Sequence, residues 1–167
     1  YLRFGRLAVP VFHSEDYKFE IGKGEIVKDG IPVKEGAHEL LTYLKEQGYL
    51  IGMATSTGRR SAMEHLERTN MLDYFSPDAI ITGDMVENGK PAPDIYLLAA
   101  RRLGVDPSEC IGVEDSLNGV RAIHAAGMRA IMIPDIVEPT PEVEALAWKR
   151  CECLLDVVPL LESSGNR

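Results

Sequence analysis

Four short apolar runs, separated by segments of helical periodicity, constrain this chain more than any other feature. They are Tyr49–Ala54 (YLIGMA), Asp78–Thr82 (DAIIT), Cys110–Val113 (CIGV) and Arg129–Ile133 (RAIMI). Each has the length of a strand buried on both faces, because such strands read as continuous apolar runs rather than as alternating ones. Between them lie helical patterns. Ala37, Leu40, Leu41 and Leu44 share one helix face, and Gly48 stands where that helix would stop. A second helix is expected over 59–69, with Ala62 and Leu66 inward. A third runs from Pro93 to Leu103, since proline suits a first turn. A fourth runs from Ser116 to about Ala126, ended by Gly127, and closing helices are expected over 141–147 and 156–162. Strand, helix, strand, helix with short connections predicts an α/β fold: a parallel sheet covered by helices on both faces.

Residues 1–35 do not join this pattern cleanly. Leu7–Phe12 (LAVPVF) has strand-like composition, but Pro10 argues against a central strand. Asp16–Lys28 carries a weak helical pattern interrupted by Gly22 and Gly24.

Composition narrows the function. Hydrophobic residues make up 45% of the 167 and charged residues 26%, the balance of a soluble globular domain. The net charge of −8 repels phosphate backbones, so no nucleic-acid partner is expected. The longest apolar runs reach about ten residues, against the ~20 of a membrane-spanning helix, so no membrane partner is expected either. Three cysteines at no disulfide-framework spacing, without a signal-peptide pattern, point to a reducing, cytoplasmic compartment. Cys151-x-Cys153 has no second pair of ligands. His13, His38, His65 and His124 show no zinc spacing around it.

In parallel sheets, ligands bind outside the carboxyl ends of the strands. The first run is followed there by Thr55-Ser56-Thr57-Gly58-Arg59-Arg60, hydroxyls and backbone N–H groups ahead of a helix. That is either an anion cradle or ordinary helix capping. The second run is followed by Gly89-Lys90-Pro91-Ala92-Pro93-Asp94, which fixes a lysine between glycine and proline. It is either a phosphate-binding point charge or a solvated loop lysine. The third run is followed by Glu114-Asp115-Ser116, with Asn118 and Gly119 beyond. Adjacent carboxylates there are costly without a cation or donors, which Mg2+ or the next helix N-terminus could supply. Together the three segments hold an anion cradle, a cation and a metal ligand, the set needed to bind a phosphoryl group with Mg2+.

With those residues in view, the sequence resembles the haloacid dehalogenase-like hydrolase superfamily. The similarity is to the branch holding β-phosphoglucomutase and small sugar-phosphate or nucleotide phosphatases. ATST at 54–57 resembles the second family motif, GKPAPDIY at 89–96 the third, and GVEDSLNGVRAIHAAGM at 112–128 the fourth with its helix. The resemblance implies a three-layer core with a parallel sheet and a helical cap. It implies Thr55 and the Ser56 backbone as phosphate ligands and Lys90 as the neutralising lysine. Glu114 and Asp115 become metal residues, with Asp115 the direct Mg2+ ligand. Ser116 and Asn118 would orient the loop, and Arg59 could reach substrate. The implied partner is a small phosphorylated metabolite.

The family nucleophile is the first Asp of an Asp-x-Asp pair after the central strand, and none of the ten aspartates of this sequence are two apart. Two expectations follow. In one, the chain is a shortened piece, with residues 1–33 a cap remnant and return linker and residues 34–167 a core lacking its usual first strand. Apolar strand faces would then stand unpaired, with poor stability or self-association. In the other, Leu7–Phe12 serves as the central strand and His13 stands at the nucleophile position. The functions in play are a Mg2+-dependent phosphatase, a phosphomutase, a non-catalytic phosphate- or Mg2+-binding module, and a phospho-acceptor receiver domain. GKPAPD speaks against the last. Gly58-Arg59, in place of the Lys-Asn expected of β-phosphoglucomutase, favours phosphatase over mutase. The sequence does not name the substrate or an oligomeric state.

Overall fold

A computed structural model describes residues 6–8, 33–134 and 138–164 of the chain. Six parallel strands form one sheet in the order β3-β2-β1-β4-β5-β6. They are β1 (Arg6–Ala8), β2 (Ile51–Thr55), β3 (Ile80–Thr82), β4 (Cys110–Glu114), β5 (Arg129–Met132) and β6 (Lys149–Arg150). The helices are α1 (Ala37–Glu46), α2 (Arg59–Arg68), α3 (Asp94–Leu103), α4 (Leu117–Ala125), α5 (Pro141–Leu146) and α6 (Val157–Ser164). Short 3₁₀ turns such as Pro77–Ala79 and Gly83–Met85 fill several connections, which the sequence pattern does not predict.

The apolar runs become strands because every residue of β2, β3 and β4 is buried. Alternate residues face opposite layers. Ile51, Met53, Ile111 and Val113 join Leu40, Leu41, Leu44, Leu66, Val157 and Leu161 of α1, α2 and α6. Ala54, Ile81, Cys110, Ala130 and Met132 join Ile95, Ala99, Val120, Ile123 and Val143 of α3, α4 and α5. Gly48 ends α1 at a φ of 75°, a left-handed conformation that glycine adopts without steric cost.

The centre of the sheet corrects one expectation. Arg6–Ala8 lies between β2 and β4, with Leu7 opposite both Ile51 and Ile111. The position read as empty in a core lacking its first strand is therefore filled. The three residues Arg6–Ala8 suffice to bridge the two neighbours. The remaining expectations for residues 9–32, among them the cap remnant and the place of His13, fall outside the described residues. In one respect the alternative expectation holds, since Leu7 and Ala8 of the Leu7–Phe12 run stand in the central strand. β6 is the unanticipated strand, two exposed residues at an edge.

The chain winds from β1 to β3 on one side, then crosses to β4 and continues to β6 on the other. The carboxyl ends of β2 and β4 therefore flank the end of β1, at the reversal of strand order where open α/β sheets hold their ligands.

Candidate active site

Glu114 is the hub of this end of the sheet. Its side chain is 2% exposed, yet both carboxylate oxygens are committed. Oε1 pairs with Lys90 Nζ and accepts the Tyr96 hydroxyl at 2.6 Å. Oε2 accepts the backbone N–H groups of Asp115 and Ser116, each at 3.1 Å, and the Ser116 hydroxyl at 2.9 Å. Burial pushes this carboxyl up, but the Lys90 charge and these donors outweigh it and hold Glu114 below the usual range. Burial, followed by the Glu114 charge, drives the Tyr96 hydroxyl well above its ordinary value. Lys90 also stands 5.0 Å from the centre of the Tyr96 ring.

The hub exists because Gly119 has no side chain. A Cβ there would come within 2.0 Å of Glu114 Cδ. Ser116 caps α4 by accepting the Gly119 N–H at 3.0 Å, which turns the chain away from β4 with Asp115 at the corner.

Asp115 pairs through Oδ2 with Lys34 Nζ at 3.3 Å, and both side chains are largely buried, at 15% and 19% exposed. Sequence reasoning missed Lys34. It lies in the turn before α1, outside the resembling motifs, and nothing local marks its distant partner.

Thr55 ends β2, and its hydroxyl accepts the Thr57 N–H at 3.2 Å. Ser56 is exposed at the tip. The β2 loop is tied to the β3 loop by two bonds, Gly83 N–H to the Thr57 carbonyl at 3.2 Å and Arg59 N–H to Asp84 Oδ2 at 3.3 Å. The Thr82 hydroxyl, then the Arg59 N–H, hold the Asp84 carboxyl below its ordinary value. The Arg59 guanidinium donates to the Ile80 carbonyl at 3.4 Å, which ties the start of α2 to β3. Asn118 is exposed and accepts from Arg121 Nη1 at 3.3 Å.

The structure thus brings Lys90, Glu114, Asp115 and Ser116 into one bonded group and sets Thr55 and Ser56 across the end of β1. A buried cation, a corner carboxylate and hydroxyl and N–H donors can hold an anion with a hard cation.

Comparison with known proteins fits this arrangement. Residues 6–127 match the haloacid dehalogenase-like hydrolase family, more than half of the chain. The chain belongs to the haloacid dehalogenase-like hydrolases. Within them it is related to β-phosphoglucomutase and the sugar-phosphate phosphatases. It is 38% identical over 109 residues to the phosphorylated carbohydrates phosphatase of Thermotoga maritima, covering 65% of this chain and 50% of that protein. Hexitol phosphatase B of Escherichia coli is 37% identical, covering 65% and 48%. The crystal structure of CbbY from Rhodobacter sphaeroides in complex with phosphate superimposes with a TM-score of 0.66 at 31% identity, covering 75% of this chain and 56% of that one. The chain spans about half the length of the curated relatives it matches. No helix among the described residues is long and apolar enough to cross a membrane.

Proposed function

We propose that the protein carrying this chain is a Mg2+-dependent phosphatase acting on a small phosphorylated metabolite, a sugar phosphate or nucleotide-like monophosphate. One observation carries the reading: Lys90 is locked on buried Glu114, which also holds the Asp115 N–H at the end of β4, while Thr55 ends β2 on the other side of β1. The named activities of the carbohydrate and hexitol phosphatases, and the phosphate held by CbbY, support it.

The donor set fits Mg2+. Among the described residues no group of three or more His, Cys, Asp or Glu could hold a metal ion. Mg2+ characteristically takes one or two carboxylates and fills its shell with water and substrate phosphate. Asp115, at the corner after β4 and already beside a positive charge, is the direct ligand in this reading. Glu114 fixes the corner and orients Lys90. When bound, the ion withdraws charge from the phosphate oxygens. Thr55 Oγ1 and the Ser56 N–H hydrogen-bond the phosphoryl group, and Lys90 neutralises it.

The phosphoryl acceptor in this reading is an aspartate of an Asp-x-Asp pair, which these 167 residues do not contain. The second reading is a non-catalytic module that binds phosphate or Mg2+ through the same residues. The deciding experiment takes the polypeptide made in its own cell, determines its intact mass and N-terminal sequence, and assays phosphate release from a panel of sugar and nucleoside monophosphates with Mg2+. Turnover that is lost in Lys90→Ala and Asp115→Asn supports the phosphatase. Binding of inorganic phosphate without turnover supports the module.

A further inference from the structure

We infer that Lys34 is an internal counter-ion of Asp115 that competes with the divalent cation for this carboxylate, so that the segment entering α1 sets the metal affinity of the site. The inference rests on the metal part of the proposed function and goes beyond it, because Lys34 belongs to none of the strand-end segments.

Lys34 is held by its backbone. Its carbonyl accepts the Ala37 N–H at 3.1 Å, at the first turn of α1. Val33 packs against the core on one side. On the other, Gly36 lies so close to Leu155 that a Cβ would come within 2.8 Å of Leu155 Cγ. The ammonium group is therefore delivered to Asp115 from a fixed base.

Surface ion pairs of this protein are different. Arg68 and Glu64 are 53% and 61% exposed, where water and salt screen the attraction. Lys34 and Asp115, at 19% and 15%, are mostly withdrawn from water, so charge acts between them at lower effective dielectric. A Mg2+ ion on the same carboxylate would sit about 2.1 Å from its oxygen. The ammonium and the ion would then repel across a few ångströms, or Lys34 would have to withdraw. In both cases a positive charge at position 34 weakens metal binding, and by reciprocity the metal weakens the hold of Lys34 on Asp115. Lys90 cannot take this part, since Glu114 holds it.

The test titrates the metal-free chain with Mg2+ by calorimetry and with Mn2+ by electron paramagnetic resonance, alongside melting curves. Lys34→Met and Lys34→Gln are expected to bind either ion roughly tenfold more tightly, with Lys34→Arg within about twofold of wild type. Asp115→Asn is expected to lose binding. Unchanged or weaker metal affinity in Lys34→Met and Lys34→Gln, with Asp115→Asn still defective, overturns the inference and leaves the metal reading standing. Wild-type affinity in Asp115→Asn, or no binding by any form, overturns both. A parallel titration with inorganic phosphate covers the other use of a lysine here. Weakened phosphate binding at unchanged metal affinity would make Lys34 a phosphate contact and overturn its role as competitor. Loss of folding in both neutral variants would do the same, by making the lysine structural.

Discussion

Tyr96, on α3, donates its hydroxyl to Glu114 Oε1, at the end of β4, at 2.6 Å, and the Tyr96 side chain is entirely buried. The same oxygen meets Lys90. One neutral donor and one cation thus share a carboxylate that would be costly to bury alone.

The two partners should differ in what their loss does. Tyr96→Phe keeps the ring and removes one bond to a charged acceptor, at a cost of about 1.5–3 kcal/mol. Lys90→Met leaves Glu114 buried without its cation, at a cost of about 3–5 kcal/mol. Denaturant unfolding of the metal-free chain measures both. A larger loss for Tyr96→Phe than for Lys90→Met would mean that the hydroxyl, and not the ammonium, sustains the buried charge.

Gly119→Ala should destabilise the chain by roughly 1–3 kcal/mol through overpacking, because its Cβ would fall on the Glu114 carboxyl group. Gly89→Ala meets nothing within 4 Å, and its effect should stay within about 0.5 kcal/mol. Equal melting temperatures for the two variants would show that the β4–α4 corner relaxes freely.

Much of this could be read from residue order. β2, β3 and β4 were legible because burial on both faces writes an unbroken apolar run, and α1 and α4 because Gly48 and Gly127 mark their ends. β1 was not legible. Arg6–Ala8 is three residues long, opens on a charge and has Pro10 close behind, so only pairing with β2 and β4 makes it a strand. At the candidate site, the strand-end segments offer Thr55, Lys90 and Asp115 as candidates by residue type. Tyr96 reads as an ordinary core position of α3, since the partner of a buried hydroxyl is a tertiary fact. Lys34 is silent for the same reason. Glu114 was read as a metal residue beside Asp115, whereas its two oxygens are taken up by five donors from Lys90, Tyr96, Asp115 and Ser116.

The cysteines give a prediction independent of the site. Burial, helped by Asp156, pushes the Cys151 thiol up to about 11, and Cys110 is buried as well. Thiolate is the reactive form, so both should resist alkylation at about pH 8 in the folded chain, while half-buried Cys153 reacts. Mass spectrometry should find one label on the native protein and three after unfolding. Labelling of Cys151 as fast as Cys153 would show that the segment after β6 opens readily.

Stability should fall at both ends of the pH scale through the same pair. Glu114 keeps its charge in the folded chain to lower pH than in the unfolded chain, where a glutamate titrates near about 4.3. Its contribution is therefore complete above that value and is lost as pH falls through the lower folded one. Tyr96 is the opposite case. Its folded value lies above the ordinary tyrosine value of about 10, so its contribution is complete below that and is lost as pH rises beyond it. Denaturant midpoints of the metal-free chain, taken from neutral pH down to about pH 3 and up to about pH 11, measure both limbs. The gap between wild type and Glu114→Gln should narrow on acidification, and the gap between wild type and Tyr96→Phe should narrow on the alkaline side. Gaps that stay constant across either limb would mean that the hydroxyl–carboxylate pair titrates alike in the folded and unfolded chains, contrary to its burial.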